Sequence, residues 1–143
     1  METAEILSEG LNLAINVEPG LAEVNPPGFW PTEELKKKFP NVNLDYEPVC
    51  KPPLPKEGYD CTPRLTKAIK GIIDRHPGAR AILVVSHLSS IDGIFIGLDC
   101  GSEYVGQGTI SIFNETKPQS GVFECKTRGS SAHLSAANRK NLR

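Results

Sequence analysis

The sequence predicts an α/β protein built on a doubly wound, mostly parallel sheet with helices on both faces. The main evidence is the run Ala81-Ile-Leu-Val-Val85, whose apolar residues show no polar alternation, as is typical of a strand covered on both faces. The segments before and after this run both have helical apolar spacing. With 143 residues, 38% of them hydrophobic, the chain can bury one core. We therefore expect one domain with residues 81–85 as a central parallel strand.

Helices are predicted in the first half of the chain at residues 3–11 and 32–38. The first has Ala4, Leu7 and Leu11 on one stripe. The second opens at Thr32, and it has glutamates in its first turn and lysines at its end, a charge order that suits the helix dipole. The lysine run is thus better explained as a solvated helix end than as a nucleic-acid patch.

Two further helices surround the predicted central strand. Thr62-Pro63 is a helix start signal, and Pro77-Gly78 ends the element. The apolar stripe between them consists of Leu65, Ala68, Ile69, Ile72 and Ile73. Ser89 or Ser90 can cap the next helix. Its buried stripe consists of Ile91, Ile94, Phe95 and Leu98.

The remaining segments are predicted as short strands and loops. Residues 13–17 form an apolar stretch that can be a strand before the turn at Glu18-Pro19-Gly20. Five prolines between residues 40 and 58 indicate a long surface loop. Residues 108–113 and 122–127 are expected to pair as a peripheral antiparallel hairpin.

The charge distribution divides the chain into a domain, residues 1–127, and a basic tail, residues 128–143. The tail holds four basic side chains and no carboxylate, and it has too few large apolar residues to be held down, so we expect it to be mobile. We expect no nucleic-acid partner and no membrane contact. No apolar run approaches the roughly 20 residues that span a bilayer, and the N-terminus lacks a signal-peptide pattern, so we predict a cytoplasmic protein.

His87 is the candidate functional residue that position alone indicates. It follows the predicted central strand and precedes a helix N-terminus, where open α/β sheets bind ligands and backbone N–H groups attract anions. A histidine that only ends a strand and bonds locally explains the position about equally well. Glu18 and Glu23 flank the turn after the first predicted strand, and each on its own is explained as a solvated surface residue. The sequence lacks metal-ligand spacing, a phosphate-binding Gly-Lys loop and a serine nucleophile elbow, so we expect no metal and no cofactor.

Several segments in order resemble the histidine phosphatase (phosphoglycerate mutase-like) superfamily, and most closely its ubiquitin-associated and SH3-domain-containing tyrosine phosphatase branch. Val17-Glu18-Pro19-Gly20-Leu21-Ala22-Glu23 is similar to the loop that holds the family's acidic residue. Ile82-Leu83-Val84-Val85-Ser86-His87-Leu88-Ser89-Ser90 is similar to the strand and helix start that present its second histidine. The resemblance runs from about residue 3 to 127, the C-terminal half of such a domain.

The resemblance implies a phosphomonoester ligand and a phosphohistidine mechanism, in which one histidine attacks phosphorus and a carboxyl group protonates the leaving oxygen. Carried over residue by residue, Glu23 is that acid and His87 is the second, charge-stabilising histidine. Ser89 and Ser90 open the helix whose N-terminus faces the same phosphate.

The sequence departs from the family pattern in its nucleophile. The family's Arg-His-Gly segment does not occur in these residues and is expected to precede Met1, together with the strand that lies beside residues 81–85. We therefore expect a truncated phosphatase domain that is weakly active or inactive. The alternative is a non-catalytic pseudo-phosphatase, a binding or regulatory module that associates with its own kind or with another chain through the unpaired sheet edge.

Overall fold

The computed structural model describes residues 1–24, 28–54, 56 and 60–139 of the chain. Its elements, in chain order, are α1 (Glu2–Leu11), a 3-10 turn (Pro19–Leu21), α2 (Thr32–Lys38), α3 (Thr62–Arg75), α4 (Leu88–Gly97), β1 (Ile110–Glu115), β2 (Phe123–Ser130) and α5 (Ala136–Arg139). The four predicted helices are confirmed as α1 to α4, because each carries local signals for its start, its end or its apolar stripe.

The start of α4 differs from the prediction. The N-cap residue is His87, whose backbone is extended at φ −106° and ψ 169°, and the helix begins at Leu88. Ser89 and Ser90 therefore lie inside the first turn and do not cap the helix. The carbonyl oxygen of His87 accepts the first helical bond from the Ile91 N–H at 2.8 Å.

The predicted hairpin is confirmed. β1 and β2 are antiparallel, with Phe113 opposite Cys125 and Glu115 opposite Phe123. Glu115 also closes the connecting loop, because its carboxylate accepts bonds from the Gln119 and Gly121 N–H groups at 3.0 and 2.8 Å.

The structure corrects the sheet prediction. In the described ranges, ladder bonds join only β1 and β2, so a doubly wound parallel sheet is not present there. The predicted strand at residues 13–17 is reduced to one parallel bridge between Ile15 and Val42. The Ile15 N–H donates to the Asn41 carbonyl oxygen at 2.8 Å, and the Asn43 N–H donates to the Ile15 carbonyl oxygen at 2.9 Å.

Residues 81–85 form no strand and pair with none in the described part of the chain. The expectation that they are covered on both faces is wrong for this chain, since Ile82, Leu83 and Val85 are 40%, 57% and 39% exposed. The physical reason is that an apolar run specifies burial only when a second strand and a second layer are present to cover it.

The core lies between α3, α4 and the hairpin. Leu65 of α3 and Phe95 of α4 are fully buried, and the ring of Phe95 meets that of Phe113 edge-on at 4.7 Å between centroids. Gly93 allows the two helices to approach, because a Cβ atom there would lie 2.3 Å from Leu65 Cδ1. This packing fixes the position of the α4 N-terminus relative to α3.

The predicted boundary between residues 127 and 128 falls inside β2. Arg128 lies over the ring of Phe95 at 5.0 Å, and its guanidinium donates a bond to the Cys100 carbonyl oxygen at 2.6 Å. Farther along the tail, residues 136–139 form α5. Within the described ranges, every helix is too short or too polar to cross a membrane.

Candidate functional site

The acidic loop, residues 18–23, lies against the start of α4. The hydroxyl of Ser89 donates a bond to Glu23 Oε1, and the same oxygen accepts a bond from the Val24 N–H at 2.9 Å. Glu23 is half-buried. The structure therefore brings together two of the predicted site residues, Glu23 and Ser89, that are far apart in the sequence.

Two more serines join the acidic loop to the segment around His87. Ser86 Oγ donates to the Leu21 carbonyl oxygen at 2.6 Å, and Ser90 Oγ donates to the Ala22 carbonyl oxygen at 2.9 Å. The serines at 86, 89 and 90 thus bond to three consecutive loop residues, 21, 23 and 22. Because each bond satisfies a polar group removed from water, the loop has one defined position relative to α4.

His87 lies between these serines and has an exposed side chain. Its imidazole makes no capping bond to α4. An exposed imidazole at a helix N-terminus can donate a bond to an anion that also faces the first-turn N–H groups. His87 is the N-cap residue of α4, and its role as the second histidine stays a prediction.

The hydroxyls of Ser89 and Ser90 already have acceptors within the protein. Ser90 is fully buried, so its side chain cannot reach a ligand from solvent. The first-turn N–H groups of α4 have no intrahelical acceptor, and they are the donors of this segment that could face an anion. Phosphate binding at Ser89 and Ser90 stays a prediction, and it concerns their backbone N–H groups and not their hydroxyls.

Arg64 is a site residue that the sequence analysis missed. It lies in the first turn of α3 and is only 4% exposed. Its Nη1 atom donates to the carbonyl oxygens of Gly20 and Ala22 at 2.8 and 3.0 Å, and Nη2 donates to that of Glu23 at 3.4 Å. The sequence pattern did indicate that Arg64 faces the core, because position 64 continues the stripe of Ala68 and Ile72 at intervals of four.

Glu18 has a structural part in the same loop. Its carboxylate accepts bonds from the N–H groups of Gly20, Val49 and Cys50 at 2.9, 2.6 and 2.9 Å, and from the Tyr46 hydroxyl at 3.0 Å. Burial, together with the charge and hydrogen bond of Glu18, raises the pKa of Tyr46 to about 12. Glu18 therefore fastens the proline-rich loop to the acidic loop, and Glu23 is the carboxylate left to face α4.

Two open surface clefts lie elsewhere. One of about 730 Å³ lies between the end of α1 and residues 40–45, and one of about 440 Å³ is lined by Met1, Trp30 and Phe39 among others. Neither is lined by Glu23, His87 or Ser89. Among the residues that the structure describes, no three His, Cys, Asp or Glu side chains are grouped closely enough to hold a metal ion.

The site therefore combines a histidine at the N-cap of α4 with a carboxylate that is bonded to the first turn of the same helix, the end of a helix that attracts anions. A family model described as the histidine phosphatase superfamily (branch 1) matches residues 1–100. The match spans α1 to α4 and includes Glu23, His87 and Ser89. The chain therefore belongs to the histidine phosphatase superfamily. A search of curated proteins found no match to the chain.

Proposed function

We propose that this chain carries the general-acid and second-histidine part of a phosphohistidine site that handles phosphate monoesters. The observation that carries the proposal is the bond between Ser89 and Glu23, which ties a carboxyl group to the first turn of α4, the helix whose N-cap residue is His87. We further propose that the chain belongs to the ubiquitin-associated and SH3-domain-containing tyrosine phosphatase branch, on the segments around Glu18 to Glu23 and around His87.

The proposed chemistry assigns one task to each group. Protonated His87 donates a hydrogen bond to a phosphoryl oxygen, and the first-turn N–H groups of α4 face the same charge. Protonated Glu23 gives its proton to the leaving ester oxygen as the P–O bond breaks. The family's nucleophilic histidine lies in an Arg-His-Gly segment, which does not occur in these 143 residues. We therefore propose that residues 1–143 on their own bind phosphate groups weakly and hydrolyse esters slowly or not at all.

The first test is binding of orthovanadate or inorganic phosphate, followed by NMR of the histidine rings. His76 and His133 are built-in controls, because they lie at the end of α3 and in the tail. We expect the ring signals of His87 to move with millimolar affinity while those of the other two stay in place. Equal movement of all three would mean non-specific anion binding and would overturn the proposal.

The second test is turnover of p-nitrophenyl phosphate by the same chain. We expect a rate near the buffer background, with any residual rate lowered by His87→Ala and by Glu23→Gln. His76→Ala is the matched control and should change nothing. Substantial turnover that is unchanged in both His87→Ala and Glu23→Gln would show that neither residue takes part in the reaction.

A second candidate function is a non-catalytic module that associates with another chain. The segment 81–85, which has exposed Ile82, Leu83 and Val85 and pairs with no strand in the described ranges, favours this candidate. A neighbouring strand from a second copy or from a relative would pair its free backbone groups and extend it into the parallel sheet expected for the family.

Light scattering after size-exclusion chromatography distinguishes the two candidates. We expect the chain to self-associate if the segment is a docking edge, and Leu83→Lys to reduce that association. Leu44→Lys is the control, because Leu44 is similarly exposed at 51% but lies in the proline-rich loop. A monomer at all concentrations, with or without a full-length relative, would rule out the docking module.

A further inference from the structure

We propose that Arg64 is a positioning residue that sets the place of the Glu23 carboxyl group, an inference that rests on the function proposed above. Arg64 donates to three carbonyl oxygens of the acidic loop, those of Gly20, Ala22 and Glu23. These carbonyls belong to the stretch that leads to the candidate acid.

The burial of Arg64 makes this contact set specific. Because Arg64 as a residue is only 4% exposed, its guanidinium must satisfy its N–H groups within the protein, since desolvating an unpaired charge is costly. The planar fork of arginine can reach several carbonyls at once in a fixed geometry. A lysine at the same place has a single ammonium group on a flexible stem and cannot hold the same three carbonyls in register.

Glu23 is held from two sides as a result. Its carbonyl oxygen is bonded to Arg64 of α3, and its carboxylate is bonded to Ser89 of α4. The distance between these two helices is fixed by the contact of Leu65 with Gly93. The backbone of Glu23 is therefore bonded to α3 and its carboxylate to α4. Two such bonds hold the candidate proton donor in one orientation.

A purely structural role for Arg64 predicts a loss of stability and no specific effect at α4. A positioning role predicts that the Glu23 carboxyl group and the α4 N-terminus become uncoupled while the fold persists. The coupling can be followed through the backbone amide signal of Ser89, which should respond when pH changes the charge on Glu23. Glu23→Gln identifies that response by removing it.

The experiment compares Arg64→Met, Arg64→Lys and Arg75→Met. Arg75 is the matched control, because it lies on the same helix and donates to a backbone carbonyl, that of Glu47, from an exposed position. We expect Arg64→Met to reduce the pH response at Ser89 at least threefold, Arg64→Lys to restore only part of it, and Arg75→Met to leave it unchanged.

A folded Arg64→Met protein with the full Ser89 response would overturn the proposal. If Arg64→Met does not fold, Arg64→Lys decides, because a full response in the lysine variant likewise shows that the fork geometry is not needed. The Ser89 response requires no phosphate. A wild-type protein that shows the response but whose His87 ignores vanadate would contradict the proposed function and leave the positioning role of Arg64 intact.

Discussion

The hydroxyl of Ser89 donates a hydrogen bond to the carboxylate of Glu23, a residue 66 positions earlier in the chain. This bond joins the acidic loop to α4, whose N-cap residue is His87. It follows that changes on either side of the bond should affect both the stability of the loop and the environment of His87.

We predict that Ser89→Ala lowers the free energy of unfolding by about 1 kcal/mol, because a half-buried hydrogen bond to a charged group is lost. The control is Ser102→Ala, since Ser102 also donates to a carboxylate, that of Asp92, but from an exposed position. Its effect should be about 0.5 kcal/mol or less. Urea unfolding measures both. Equal losses in the two variants would mean that the bond to Glu23 adds nothing specific.

We predict that Glu18→Gln loosens the proline-rich loop. The carboxylate accepts four bonds, and an amide presents N–H groups to some of the same donors, so the free energy of unfolding should fall by at least about 2 kcal/mol. The pKa of Tyr46 should fall from about 12 toward its ordinary value of 10.0. NMR titration of the Tyr46 ring in the wild type and in Glu18→Gln checks this.

The raised pKa of Tyr46 makes the stability of the protein depend on pH in the alkaline range. The folded protein holds the phenolic proton up to about pH 12, whereas the unfolded chain releases it near pH 10.0. The contribution of Tyr46 to the free energy of unfolding is therefore fully present below pH 10.0 and is lost as pH rises toward about 12. Urea unfolding of the wild type and of Tyr46→Phe at several pH values should show the wild-type advantage shrinking over this window. A difference in the free energy of unfolding between the two proteins that stays constant with pH would contradict the raised pKa of Tyr46.

Two helical glycines should respond oppositely to alanine. Gly93→Ala should destabilise the protein by about 1–2 kcal/mol, because the new Cβ would meet buried Leu65 and the cost of overpacking exceeds the gain in helix propensity. Gly10→Ala in α1 meets no atom within 4 Å and should stabilise by about 0.5–1 kcal/mol. Thermal unfolding of both variants gives the comparison. A stabilised Gly93→Ala would show that α3 and α4 can separate without cost.

The helices and the hairpin could be predicted from the sequence because their signals are local. Thr62-Pro63 and Pro77-Gly78 mark the ends of α3, and the alternation in residues 108–113 marks β1. Residues 81–85 show the limit of this reasoning. Their composition favours a covered strand, but a ladder requires a partner, and in the described ranges none lies beside them.

Arg64 illustrates a second limit. Its position on the apolar stripe of α3 could be read from the sequence, but an arginine there is as easily explained as a side chain that reaches solvent. The three carbonyl acceptors come from a loop about forty positions away, and local patterns carry no information on such contacts.

The sequence by itself determined the helices, the hairpin and, through motif resemblance, the superfamily and its candidates Glu23 and His87. Only the tertiary structure decided that Glu18 is a structural acceptor, that Ser90 is buried, and that Glu23 is held between Arg64 and Ser89. The physical reason is that propensity and periodicity act over a few residues, whereas the bonds that place a carboxyl group beside a helix join groups brought together by packing.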